Sequence, residues 1–282
     1  MKKTLLLPLM LVLLTMTAVC SCEHEIDFDY PTSAPQVVFD GCISNEGVYV
    51  AISRTRPMND STKNHFVADA QVWITSDNGV NEQLAYDAKQ QRYRSMTGLK
   101  GVAGDTYHMR AQVDDRIYEA TTTMMPPAKP DTIFFRWTEA LQKRYFFVAV
   151  KGQVAIPDQR NYYLLRLIRN KELYKWNAHS GRSDYDNKFE YDIVCGSEQE
   201  IDKGKVDEQG KRPLAEGDSV SMEVLSIDKA CCDFYQSLSS SESTTTNALT
   251  NIRGGAQGIF MAASISRTDT LEFRKQEVLK QK

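Results

Sequence analysis

The sequence has no apolar run beyond Val19 long enough to cross a bilayer, which takes roughly 20 residues. Its four histidines, His24, His65, His108 and His179, stand apart, and no HExxH, no CxxC and no paired ligand spacing is present, so no metal centre is indicated. Each histidine reads as a surface residue. A G-x-S-x-G elbow is missing and no cysteine has a histidine nearby in sequence, which leaves nucleophilic catalysis without a local signature. Basic residues are scattered and do not cluster beside aromatic stacking positions, so the footprint of a nucleic-acid binder is missing too. Acids outnumber bases, and the formal net charge is −3.

What the chain does have begins at its first residue. Lys2 and Lys3 give a positive start, Leu5 to Val19 form an apolar stretch broken by Pro8 and small polar residues, and Cys20 and Cys22 follow before the polar run Glu23-His24-Glu25. This is the pattern of a signal peptide over residues 1–21, too short to span a membrane stably. Cleavage ahead of a lipidated cysteine favours a small preceding residue. Ser21 before Cys22 fits that demand, and Val19 before Cys20 fits it less well, so Cys22 is the expected lipidation site and mature N-terminus. An ordinary secreted protein cut after a small residue is the alternative. Removing residues 1–21 takes away two lysines and no acid, which moves the net charge from −3 to −5 over 261 residues. Cys42, Cys195, Cys231 and Cys232 remain in a compartment that permits disulfides. Four cysteines allow three pairings, and free buried thiols are an equal alternative.

Residues 22–35 are acidic and proline-punctuated and read as a tether. From Gln36 onward short runs rich in β-branched and aromatic residues, bounded by Gly, Asn and Asp, alternate with the two-residue period of half-buried strands. The expectation is an all-β protein: an Ig-like antiparallel β-sandwich over 36–125, then a second β-rich domain with one short helix over 131–268. The prolines between Met125 and Pro130 mark the boundary, and 269–282 reads as a charged, solvated tail. Asp228 is expected to cap the helix, which places Cys231, Phe234, Tyr235 and Leu238 on one face. The stretch Asn170–Glu216 is polar and charged and reads as an exposed insertion. Ser237–Thr246 reads as a flexible loop.

Two segments could bear function. Asn251–Gly258 is glycine-rich but lacks a Gly-Lys-Ser/Thr ending and a strand-then-helix setting, so its glycines are read as serving a bend or a close backbone approach ahead of the last strand. Tyr174, Trp176, Tyr185 and Tyr191 stand among charges in the expected insertion, where aromatics serve as recognition anchors. They are the candidate ligand- or partner-contact residues.

Several motifs in order carry a family resemblance: Cys22-Glu23-His24-Glu25-Ile26-Asp27, Gln36-Val37-Val38-Phe39-Asp40-Gly41, Val50-Ala51-Ile52-Ser53-Arg54-Thr55, Gly101-Val102-Ala103-Gly104-Asp105-Thr106-Tyr107, Gly217-Asp218-Ser219-Val220 and Asn251-Ile252-Arg253-Gly254-Gly255. Together they cover nearly the whole mature chain, which resembles the DUF4249 lipoproteins of Bacteroidetes, a family of unknown biochemical function. One departure is Thr246-Asn247-Ala248-Leu249 where the family carries a proline-phenylalanine pair. The resemblance implies an outer-membrane lipoprotein facing the cell exterior, an accessory to a TonB-dependent receptor in uptake, and it brings no catalytic residues. The expected protein is therefore non-enzymatic, without cofactor, metal or nucleic acid, with a structural or adhesive surface protein as the alternative.

Overall fold

The computed structural model describes residues 34–56, 65–140, 142–182, 186–204, 206, 210–241 and 246–275. The expected signal peptide, Cys22 and nearly all of the tether lie outside them. Pro35–Arg56 and Asp60–Lys282 group into one compact unit; of the other, Met1–Ala34 with Pro57–Asn59, only Ala34 is described. No helix among the described residues is long and apolar enough to cross a membrane.

Strands β1 (Val37–Ser44) and β2 (Gly47–Arg54) make a hairpin closed at Ser44↔Gly47. The sheet continues antiparallel through β5 (Arg92–Arg94), β4 (Asn81–Asp87), β3 (Gln71–Ser76), β6 (Thr106–Val113) and β7 (Arg116–Thr123). Alternation turns every second side chain inward. Phe39, Ile43, Val50, Ile52, Val72, Ile74, Tyr107, Met109 and Tyr118 thereby share one core. The sheet folds over itself, so that Phe39 and Tyr118 meet with ring centroids 5.4 Å apart. Tyr93 keeps its hydroxyl satisfied inside by donating to Val67 O at 2.9 Å and accepting from Ala70 N at 2.8 Å.

A second core lies between two further layers. One is the three-stranded sheet β12-β9-β8, with β8 (Lys129–Ala140), β9 (Lys143–Gln153) and β12 (Lys188–Ser197). The other is β11-β10-β13, with β10 (Arg160–Arg169), β11 (Glu172–Arg182) and β13 (Ser219–Ser226), to which β15 (Leu271–Glu272) adds. Phe146, Val148, Tyr163, Leu165, Leu167, Val220, Met222, Val224 and Phe273 fill the space between them. The architecture is all-β and sandwich-like, as the alternating runs predict.

Three local expectations give way. Asn170–Glu216 is not an exposed insertion: it supplies β11, β12 and a short helix α1 (Glu198–Lys203). Tyr174 and Ala178 of β11 and Phe189, Ile193 and Cys195 of β12 are buried, and Trp176 and Tyr191 pack against the same cores, while charged residues such as Lys175, Glu190 and Asp192 interrupt the run and give it a loop-like composition. Helix α1 begins in a capping box of Ser197 and Glu200, a Ser-x-x-Glu signal legible in the sequence. Ser237–Thr246 is not wholly loop, because helix α2 (Lys229–Ser241) runs into it. Its serines fold their hydroxyls back onto the helix, Ser237 to Phe234 O and Ser241 to Leu238 O, each at 2.8 Å. In the expected tail, Leu271–Glu272 pairs with β13 and Phe273 is fully buried.

Strand β14 (Gln257–Arg267) joins the two regions. Gln257–Ala263 pairs in parallel with β1, and Ser264–Arg267 pairs antiparallel with β13. Where a neighbouring strand is missing, side chains take its place. Asn251 reaches Phe260 with both amide atoms, accepting from its N–H at 3.0 Å and donating to its carbonyl at 2.8 Å, and Thr122 Oγ1 accepts from Ala262 N–H at 3.1 Å. Just past the last β1 pair, Asn45 holds Ile265 in the same two-handed way, at 2.8 and 3.1 Å. Backbone polar groups left unpaired in the interior are costly, so these side chains let one strand leave one sheet and enter another.

The proline segment is stitched to that crossing. Ser266 donates to Ala128 O at 2.7 Å, Ala128 N donates to Ser226 Oγ at 3.1 Å, and Ser264 bonds Met125 O. Asp228 caps α2, as its position predicts, by accepting from Cys231 N at 2.8 Å. Its other oxygen accepts from Thr122 Oγ1 at 2.7 Å. A third apolar cluster, of Cys42, Leu164, Leu225, Ile227, Cys231, Cys232, Phe234, Ile259 and Met261, fills the space between α2 and the continuous sheet.

The glycine segment serves the bend and the close approach expected of it. Gly258 has φ +96°, and a Cβ there would collide with the Phe39 carbonyl. Gly258→Ala should therefore lower stability by at least about 2 kcal/mol. Gly104→Ala, at φ +90° with nothing within 4 Å, should cost only about 1 kcal/mol; urea denaturation of both variants checks the difference. Hydrogen bonds from Arg267 hold the Glu46 carboxyl below its ordinary value. A lowered folded value contributes stability above the unfolded pKa of about 4.3 that is lost as pH falls through the folded one. The drop in urea midpoint between neutral and acidic pH should be smaller in Glu46→Gln.

Candidate functional site

A groove of about 450 Å³ opens where β1, β2, β5, β10 and β14 pass beneath the edge of β11 and α2. Its walls carry three arginines, Arg92, Arg94 and Arg166, two acids, Asp40 and Glu46, and an apolar and aromatic set that includes Tyr49, Leu164, Leu173, Trp176, Tyr235 and Met261.

Sheet register explains how these side chains meet. Trp176 on β11 pairs with Arg166 on β10, Arg166 with Glu223 on β13, and Glu223 with Arg267 on β14. Residues opposite one another in adjacent strands share a face, so the row alternates in charge. Glu223, only 8% exposed, lies between two cations: Arg166 Nε approaches its Oε2 at 3.4 Å and Arg267 Nη2 its Oε1 at 2.8 Å. Arg267 also grips Glu46 through both guanidinium nitrogens, which continues the row into the β1–β2 turn. Buried charge of this kind persists only when paired. Glu223 Oε2 has no hydrogen bond and is balanced by Arg166 alone.

Asp40 of β1 lines the groove from an exposed position. Tyr49 donates a hydrogen bond to it, and Arg92 and Arg166 act on it through charge, but burial by the groove walls outweighs them and pushes its carboxyl up although it keeps access to solvent. The Arg92 guanidinium lies over the Tyr49 ring, 5.0 Å from its centroid. Trp176 meets the edge of Tyr235 at 5.4 Å.

The structure separates the four aromatic candidates. Tyr174 is buried, its hydroxyl donating to Arg212 O at 3.0 Å, with Arg169 over its ring at 5.3 Å. Tyr191 is half-buried and stacks on His179 at 4.7 Å and Phe189 at 5.6 Å. Tyr185 lies outside the described residues. Trp176 alone of the three described lines the groove, and it also lines a neighbouring depression of about 500 Å³ with Lys175, Asn177 and Lys211. Asp40, Arg166 and Glu223 carry a sequence signal of their own, a lone charge inside a mainly apolar strand, as Asp40 in Val37–Gly41, Arg166 in Tyr162–Ile168 and Glu223 in Val220–Leu225; Arg92 and Arg94 carry none. A charge in such a setting demands a partner across the sheet.

Cys42 forms part of the groove floor, yet its thiol is no nucleophile. Burial and then the charge of Asp40 push it up to about 12. Burial likewise pushes Cys195 up to about 12, Cys232 to about 11, and Cys231 well above the ordinary range. All four are buried free thiols. The pH-sensitive group nearby is His179, whose ring burial holds toward the neutral form while Nε2 sits 3.1 Å from Asp192 O. No group of three or more histidine, cysteine or carboxylate side chains able to hold a metal occurs among the described residues.

A sandwich-like all-β body, one strand shared between two regions and an open groove of arginines and aromatics define the class of protein. The chain belongs to the family described as Domain of unknown function (DUF4249), whose model matches residues 23–269. No relative among the curated proteins matches it. Among solved structures, a cytokine receptor complex is 10% identical with a TM-score of 0.25, over 85% of this chain and 96% of that one. The chicken interferon gamma receptor alpha chain is 7% identical with a TM-score of 0.19, over 69% of this chain and 90% of that one.

The raised thiols lead to a direct expectation. With pKa values far above the medium, Cys42, Cys195, Cys231 and Cys232 should resist iodoacetamide at pH 8 in the folded chain and react within minutes after denaturation. Peptide mass spectrometry reads each site, and rapid native labelling of Cys42 would contradict its burial.

Proposed function

We propose that this chain is a cell-surface lipoprotein, anchored at the outer membrane through Cys22, which captures a ligand in its groove or docks on a TonB-dependent receptor without performing covalent chemistry itself. The observation that carries this reading is the groove: guanidinium and aromatic side chains converge in an opening of ligand size, and the thiol in its floor is held protonated. Such a site grips and releases. The anchor and the receptor rest on the leader sequence and the family resemblance. A shared membrane would keep the captured ligand at high effective concentration beside the transporter.

Affinity purification of the lipidated chain from detergent-solubilised native membranes tests the proposal, with Cys22→Ala as control. Wild-type protein should partition with outer membrane and bring down a TonB-dependent receptor, and Cys22→Ala should leave the membrane fraction. A lipidated chain recovered without any barrel protein would overturn the transporter role and favour a structural or adhesive one.

A further inference from the structure

The groove has an electrostatic vacancy of definite shape. Glu46 is taken up by Arg267, and Arg166 is balanced from one side only, where Glu223 meets its Nε. Arg94 pairs loosely with Asp87 at 3.7 Å. Arg92, half-buried over Tyr49, has no carboxylate within ion-pair distance among the described residues. Asp40 feels Arg92 and Arg166 together, but neither pairs with it. Arg92 and the groove-side donors of Arg166 thus line one opening with no carboxylate in direct ion-pair contact with them among the described residues. Beside them the wall turns apolar at Trp176 and at Leu173, which is 49% exposed.

We infer that the groove takes a carboxylate joined to a flat apolar body, with the carboxylate lodged between Arg92 and Arg166 and the body laid against Trp176. This deepens the capture reading above and rests on it. A guanidinium offers five donors in a fixed fork that matches a carboxylate. Glu223 occupies the Nε side of Arg166, so a ligand would meet the guanidinium from the groove. A ligand ammonium would meet three arginines against Asp40, so the groove selects against cations.

The test uses the full chain in detergent with 3-phenylpropionate, its neutral amide and phenethylammonium as probes, together with an acetylated tripeptide ending in phenylalanine, either as free acid or as amide. Calorimetry and tryptophan fluorescence read binding. An acid should bind at least about tenfold more tightly than its amide, and phenethylammonium should not bind. Arg92→Gln should remove that preference while leaving amide binding unchanged, with Arg92→Lys intermediate. Trp176→Phe should lose the fluorescence response and keep the calorimetric heat. Preference for the free tripeptide would mark chain ends as the ligand source and preference for phenylpropionate small acids; either supports the site. Equal binding of acid and amide, preference for the ammonium, or no binding up to about 10 mM overturns it. Recovery of a receptor without acid preference removes the ligand class alone, and acid binding without a receptor removes the transporter role alone.

Discussion

The structure depends on how β14 satisfies its backbone on leaving one sheet for another. Its first seven residues pair with β1 and its last four with β13. A strand that changes partners exposes N–H and C=O groups at the change, and unpaired groups there would cost more than a single apolar contact returns. The chain meets this demand with Asn45, Asn251 and Thr122, whose side chains stand in for missing strand backbone. The two cores, the seating of α2 and the anchored proline segment follow from that one accommodation. Asp228 extends it, since one carboxylate caps the helix and holds the end of β7.

The groove is a by-product of the same crossing. Because β14 runs between β1 and β13, residues from both regions of the sheet come to face one opening. The charged row Arg166, Glu223, Arg267, Glu46 crosses three strands and ends in the β1–β2 turn. Its interior members are mutually compensated, whereas Arg92 has no carboxylate in ion-pair contact among the described residues and meets Asp40 only through longer-range charge. A site of this kind is organised by its own supporting charges: moving Glu223 would disturb Arg166 and Arg267 together.

Much of the architecture was legible because its signals are local. Alternation revealed most strands, Asp228 announced the helix, and the glycines before β14 declared a close approach that Gly258 makes against Phe39. What stayed hidden is what depends on distant pairing. β11 and β12 intersperse charges among the residues they bury, so their composition resembles a loop until neighbouring layers supply the apolar surface. Phe273 gives no sign in sequence that the segment around it returns to the core. The candidate site was legible only at Trp176. Arg92, Arg166 and Asp40 are far apart along the chain, and no spacing rule unites them; only the strand order from β10 through β13, β14, β1 and β2 to β5 does. The solitary charges inside apolar strands were visible, and their meaning lay in the neighbours they would find.

The parallel pairing of β1 with β14 also sets how the protein bears load. A pull applied at Val37 along the axis of β1 would act on a strand held between β2 on one side and β14 on the other. Sliding β1 out would strain the hydrogen bonds of both ladders at once, whereas a strand peeled from its end gives them up one by one. Loaded in that way β1 would be held in shear, and the groove beside it would stay assembled.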